Sequence, residues 1–278
     1  MLSRMDSKWS RILSGGIVLL ALAVVVGPLL WVVRVSLRPV DEFILAPTSL
    51  GGTWTFENII EAVTVGEMGF AILNSLIVIS VGAPLAVLLG SMSGFALARF
   101  KFLGRGIAAG LISTAIFLPV AAIVIPLFNL ALSLRMVNSL IWLAVIYGII
   151  FSSWVALFLR SYFLQLPTEV FEAAQVDGAG SIRTFVSVAL PMAKPALATA
   201  FVLSCFIQWS ELLIALLLLP NGDTPTVALG IAQFSTQYRS GGPQTAAAMI
   251  VGVLPILLIF LVGQRWLRVG SLAGSVKD

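Results

Sequence analysis

The residues with most to offer a partner lie in one polar stretch, Glu172-Ala173-Ala174-Gln175-Val176-Asp177-Gly178, closed further on by Leu190-Pro191. Alanines beside acids do not make a catalyst. They make a helix with almost no bulk on one face, which can sit deep in a groove on another protein. Glu172 is then placed to bond backbone donors or a basic group across that contact. Groups for catalysis are scarce elsewhere. The chain has no histidine, which excludes histidine metal sites, Ser–His dyads and histidine proton relays. It has no Gly-x-x-x-x-Gly-Lys-Ser/Thr phosphate loop. No two acids share one apolar run, which argues against an intramembrane enzyme. The lone Cys205 sits in an apolar run, where it reads as a small buried hydrophobe.

A second group offers solute recognition rather than reaction. Glu211 is the one charged residue well inside an apolar run, about nine residues or roughly 13 Å from the end of its helix at 1.5 Å per residue. A charge at that depth costs about 2.5–3.5 kcal/mol, so it should face protein or water. It either lines a pathway and accepts hydroxyls, with Gln208, or is held by helix ends and fixes the fold. Trp209, Asn129, Ser152, Ser153 and Trp154 add aromatic faces and polar groups of the kind a sugar uses.

The elements that position these residues are membrane helices. Only 10% of the 278 residues are charged and mean hydropathy is +1.08, whereas soluble domains carry about 25% charged residues. Runs of roughly 20 apolar residues span a bilayer, and six occur: 12–33, 70–98, 107–131, 140–159, 196–219 and 245–263. The first follows Arg4, Lys8 and Arg11 like a signal peptide, but it outruns a typical apolar signal core of about 7–15 residues and reads as a retained span. The expectation is an all-α polytopic membrane protein, one transmembrane domain over residues 1–278, with 160–195 as a loop.

Basic residues orient it. Arg4, Lys8, Arg11, Arg99, Lys101, Arg105, Arg160, Arg183, Lys194, Arg265, Arg268 and Lys277 fall on one side; Arg34, Arg38, Arg135 and Arg239 fall on the other. The excess places both termini and the Glu172 loop in the cytoplasm. The pI of 9.6 therefore reflects topology, and nucleic acid is not expected as a partner. Pro28, Pro84, Pro119, Pro126 and Pro255 fall inside spans, where each favours a kink. Gly90-x-x-x-Gly94 and Gly106-x-x-x-Gly110 offer flat faces for close helix contact. Segment 36–69 reads as a loop with one short helix near Phe56–Ile60. Segment 220–243 reads as polar and flexible, a candidate contact for an external protein.

Within the 160–195 loop, Pro167 ends the preceding helix and Thr168 reads as N-cap of a short helix, 169–177. Gly178 suits its left-handed C-terminus. Ser181 reads as the cap of a second helix, 182–189, stopped by Pro191, and Asp177 is within reach of Arg183. Val170 and Phe171 supply apolar contacts.

In the spacing of Glu172-Ala173-Ala174, Gly178 and Leu190-Pro191, the chain resembles the permease subunits of binding-protein-dependent ABC importers, in the maltose-type carbohydrate group. Asn74-Ser75, Ala96-x-Ala98-Arg99-Phe100, Trp209-Ser210-Glu211-Leu212-Leu213 and the tail Gly270-Ser271-Leu272-Ala273-Gly274-Ser275-Val276-Lys277 resemble that group too. It departs at Val188, Ser210 and Ser275, where the group usually has Ile, Asn and Ala. The resemblance implies a type I importer permease in the bacterial cytoplasmic membrane. It would pair with a second permease, two ATPase subunits carrying ATP and Mg, and an external binding protein that delivers carbohydrate. It further implies that Glu172, Ala173, Ala174, Asp177, Gly178, Leu190 and Pro191 couple to the ATPase. Alternatives are a permease for glycerol phosphate, polyamine or phosphate, or an autonomous carrier. Phosphate would favour basic groups in the spans, and none is evident; carriers often show inverted halves, and no repeat is visible.

Overall fold

The computed structural model describes residues 5–237 and 242–272, with side chains at 13–235 and 242–264. Arg4, Arg239, Ser240, Gly241 and the tail 273–278 lie outside the described residues, as do the side chains of Lys8, Arg11, Arg265 and Arg268. Every regular element among the described residues is helical. Four helices are long and apolar enough to cross a membrane: α1 (Met5–Ser36), α4 (Met68–Arg99), α7 (Leu140–Gln165) and α14 (Pro243–Leu272). Two bent pairs bring the number to six if each counts as one span.

The chain divides into two compact units. One joins Met1–Met68 with Ile231–Val251. Here the expected single short helix is two, α2 (Val40–Leu45) and α3 (Glu57–Thr64). The end of α2 is held by Arg38, buried at 3% exposure, which donates to the carbonyl oxygens of Glu42 at 3.2 Å and Ala46 at 3.1 Å. Asn58 Nδ2 donates to the carbonyls of Ser36 and Arg38, which ties α3 to the end of α1. Buried donors need such partners, so this loop is built rather than slack.

The other unit, Gly69–Gly230 with Gly252–Asp278, holds most of the membrane helices. The apolar run 107–131 is not one helix. It forms α5 (Arg105–Phe117) and α6 (Val120–Ser133), bent by 103° at Leu118-Pro119. Pro119 lacks an amide proton and pushes Leu118 to extended backbone (ψ 116°), so the helix stops there. Pro28, Pro84, Pro126 and Pro255 instead lie inside continuous helices. The run 196–219 is also broken. α11 (Lys194–Ser210) ends at Glu211, and α12 (Leu213–Leu218) restarts two residues later.

Segment 220–243 is less irregular than its composition implies. It holds α13 (Val227–Gln237), started by Thr226, whose Oγ1 accepts from Leu229 N at 3.4 Å. α7 starts in the same way at Ser139, whose hydroxyl accepts from Trp142 N.

α4 and α7 pack through glycines. A Cβ at Gly94 would lie 2.6 Å from the Ala156 carbonyl oxygen, and one at Gly90 would lie 2.5 Å from Val155 Cγ1. Gly106 and Gly110 have nothing within 4 Å. The two Gly-x-x-x-Gly motifs therefore differ: the first is a helix–helix contact within this chain, and the second is not.

Candidate functional site

The polar stretch forms α8 (Thr168–Val176). Thr168 is its first residue rather than its cap: Pro167 occupies the cap position, and the Thr168 hydroxyl accepts from Arg99 at 3.4 Å. The helix ends in a Schellman motif. Gly178 adopts φ +75°, its amide donates to the Gln175 carbonyl at 3.0 Å, and the Ala179 amide donates to the Ala174 carbonyl at 2.9 Å. Ala174 thus gives a small side chain and an acceptor to the same turn.

Beyond Gly178 the chain does not stop at Pro191. α9 (Ser181–Thr184) starts with Gly180 at the cap position, not Ser181. It runs through a π-helical turn, Phe185–Ala189, into α10 (Leu190–Met192). The wide turn comes just before Pro191, which cannot donate and whose ring would crowd the carbonyl four residues back in a regular α-helix. The helix ends at Ala193, where α11 departs at 80°.

One residue of α8 anchors it. Phe171 is buried at 5% exposure and packs into a core with Phe95, Leu159 and Phe163. Phe95, on α4, lies 5.4, 5.5, 6.1 and 5.2 Å centroid to centroid from Phe100, Phe163, Phe171 and Phe185. One ring therefore touches α7, α8 and the π turn. The Arg99 guanidinium sits 4.2 Å over the Phe171 ring and donates to the Phe163 and Leu166 carbonyls, at 2.6 Å each. Those carbonyls end α7, where a cation is favoured.

The rest of the loop faces outward. Glu172, Ala173, Gln175, Asp177 and Gly178 are exposed. Val176, Ile182 and Val186 are 88%, 82% and 54% exposed. These three apolar side chains of the loop are bare among the described residues. Val170 is 39% exposed; Leu190 is half-buried and Pro191 exposed.

The second group does not converge on one place. Glu211 sits at the break between α11 and α12. Its Oε1 and Oε2 accept from Ile214 N at 3.1 and 3.0 Å, and Oε2 also accepts from Ala215 N at 3.3 Å and Tyr147 Oη at 2.6 Å. A carboxylate at a helix N-terminus inside an apolar run satisfies amides that lipid cannot. Trp209 Nε1 donates to the Gly252 carbonyl at 3.1 Å and is pinned against α14. Gln208 is 3% exposed and turned toward α4, with a Cβ at Gly82 falling 2.4 Å from its Oε1. Ser153 lines a cavity of about 280 Å³ with Trp154, Phe151, Ile116 and Ile207. Asn129 is exposed on α6. Ser152 donates to the Ile149 carbonyl.

Set beside known proteins, residues 86–269 match the model of a family described as binding-protein-dependent transport system inner membrane components. The chain belongs to that family. It is 33% identical over 275 residues to the diacetylchitobiose uptake system permease NgcG of Streptomyces coelicolor, covering 98% of this chain and 89% of that one. It is 31% identical over 257 residues to the trehalose transport system permease SugB of Mycobacterium tuberculosis, covering 90% and 92%. Its fold matches a chain of a bacterial ABC transporter involved in import of the acidic polysaccharide alginate, with TM-score 0.71, 20% identity and coverage of 94% and 96%. This chain is thus a multi-pass transport component of the inner-membrane permease family.

The sequence undervalues Arg99 and Phe95. Arg99 counts there as a basic flank and as part of the segment Ala96-x-Ala98-Arg99-Phe100, with no contact assigned to it. The breaks coincide with Pro119 and with Glu211, an acid directly ahead of the apolar stretch 212–219.

Proposed function

We propose that the chain is one permease subunit of an ATP-driven importer that carries a sugar or oligosaccharide, and that α8 is its contact with an ATPase subunit. The observation that carries this reading is α8 itself. It is short, closed by Gly178 at φ +75°, anchored by Phe171 and otherwise bare. An isolated nine-residue helix is marginal in water. Packing of Phe171 from below and a partner from above stabilises it.

Two relatives support the solute class: permeases for diacetylchitobiose and trehalose. The apolar runs hold no lysine or arginine, which favours a neutral solute over phosphate or glycerol phosphate. In this reading the chain forms half of a pathway with a second permease. ATP and Mg bind to two ATPase subunits, an external protein delivers the solute, and both termini and α8 are cytoplasmic, as the basic flanks predict. ATP binding draws the ATPase subunits together, α8 moves with its partner, and the helices open the pathway outward. Hydrolysis returns them. Glu211 then acts by holding the α11–α12 break. Gln208, Trp209, Asn129 and Ser153 are the remaining candidates along the pathway.

Co-expression with the partner permease and ATPase tests this. Wild-type chain should capture the ATPase through affinity purification, and Gly178→Ala and Glu172→Ala should capture less. A wild-type chain that assembles with the second permease yet never retains an ATPase refutes it. Uptake of labelled neutral disaccharides by the complete complex, against inorganic phosphate, tests the solute class.

A further inference from the structure

The geometry points to Arg99 as the positioning residue that makes α8 move as one body with α4 and α7. This rests on the reading of α8 as the ATPase contact. Three observations carry it. First, the side chain that α8 buries is Phe171, and on α4 that ring meets Phe95 at 6.1 Å and the Arg99 guanidinium at 4.2 Å. Second, Arg99 also grips the last carbonyls of α7, Phe163 and Leu166, at 2.6 Å each, and reaches Thr168 Oγ1 on the first residue of α8. One planar group therefore holds the end of α4, the end of α7 and the start of α8. Third, α4 cannot slide on α7 independently. Gly90 and Gly94 bring the two backbones so close that a single added methyl at either would collide with Val155 or the Ala156 carbonyl.

A pull on α8 then has a stiff route into the bundle. Proline at 167 breaks the helix between α7 and α8, so the covalent link is a turn that can bend. Arg99 spans that turn from outside. Without it, α8 can tilt about Pro167 while α7 and α4 stay still. Lysine keeps the charge but has no second nitrogen to reach Thr168 while the first bonds the two carbonyls, as Nη1 and Nη2 of Arg99 do, and it lacks the flat face that stacks on Phe171.

The test uses the complete transporter in proteoliposomes, with spin labels at Gln175→Cys on α8 and Met92→Cys on α4; both positions are exposed and the native Cys205 is buried. The probe is Mg-ATP with vanadate. Wild type should give one narrow distance distribution that is unchanged on trapping. Arg99→Gln should broaden it and shift it on trapping by about 2 Å, the scale of helix shifts at interfaces. Arg99→Lys should fall between. Arg105→Gln is the comparator: it removes the same charge from a nearby arginine that bonds the Leu97 carbonyl of α4, and it should leave the distribution as in wild type. If Arg99→Gln does not assemble, Phe171→Leu, which removes the stacked face alone, should broaden the distribution. A wild-type distribution in Arg99→Gln, or equal broadening in Arg105→Gln, overturns the inference. Failure of the wild-type chain to retain the ATPase overturns the underlying reading instead.

Discussion

Replacing Gly94 by alanine should destabilise the protein, whereas the same change at Gly110 should not. The two positions look alike in sequence, each closing a Gly-x-x-x-Gly motif in an apolar run. In the structure the new Cβ at 94 would lie 2.6 Å from the Ala156 oxygen and 3.0 Å from the Arg160 nitrogen. Both are backbone atoms of α7, so relief requires helix displacement. Overpacking of this kind costs about 1–3 kcal/mol, offset by about 1 kcal/mol because alanine is the better helix former. The net loss for Gly94→Ala is up to about 2 kcal/mol. Gly110 has nothing within 4 Å, so Gly110→Ala should gain up to about 1 kcal/mol from propensity alone. The propensity gain is common to both, so the gap is about 1–3 kcal/mol, roughly a 5- to 150-fold difference in folding equilibrium. Equilibrium unfolding of the purified chain in mixed micelles would read it, with the native tryptophans as probes. Equal effects at both positions would refute the claim that α4 and α7 meet at their backbones. Gly90→Ala should resemble Gly94→Ala, and the double variant should be non-additive because the two share Ala156 as neighbour.

Gly178→Ala meets no steric obstacle but places a side chain at φ +75°, a cost of about 1–2 kcal/mol; amide exchange at Ala179 should accelerate while that in α7 does not. Tyr147→Phe removes the 2.6 Å bond to Glu211 and should cost about 1.5–3 kcal/mol in unfolding, as for hydrogen bonds to charged groups. Glu211→Ala should cost more, because the Ile214 and Ala215 amides at the head of α12 lose their acceptor. The Glu42 carboxyl is held below its ordinary range first by the Thr53 hydroxyl at 2.5 Å, then by the Thr53 amide, with Arg38 adding to the effect. Its folded pKa is depressed, so its contribution is complete above the ordinary value of 4.5 and is lost as pH falls through the lower folded value. Thr53 amide protection should therefore drop at acid pH, and Glu42→Gln should remove that pH dependence.

Hydropathy makes the membrane class and the approximate spans legible, because lipid demands long apolar helices. It does not make the breaks legible. A window over 107–131 averages across Pro119, and one over 196–219 averages across Glu211, so two bent elements read as straight spans. Proline alone is no guide, since Pro28, Pro84, Pro126 and Pro255 leave their helices continuous and Pro119 does not. Gly178 was readable, because a left-handed helix end strongly favours glycine. Thr168 and Ser181 mislead because residues with capping side chains also serve as first helical residues when Pro167 or Gly180 precedes them. Segment 220–243 contains α13 although it is rich in turn residues; the signal was Thr226, a cap ahead of an apolar stretch. Arg99 escapes because its role depends on carbonyls 64 and 67 residues away, and no local pattern records them.

The most direct measurement of the account is where α8 lands. A photo-crosslinking residue at Ala173, introduced into the complete transporter in native membranes, should form an adduct with the ATPase subunit, and the same probe at Trp54, exposed between α2 and α3, should form none with it. An adduct at 54 and none at 173 would place α8 away from the nucleotide-hydrolysing subunits and contradict the account.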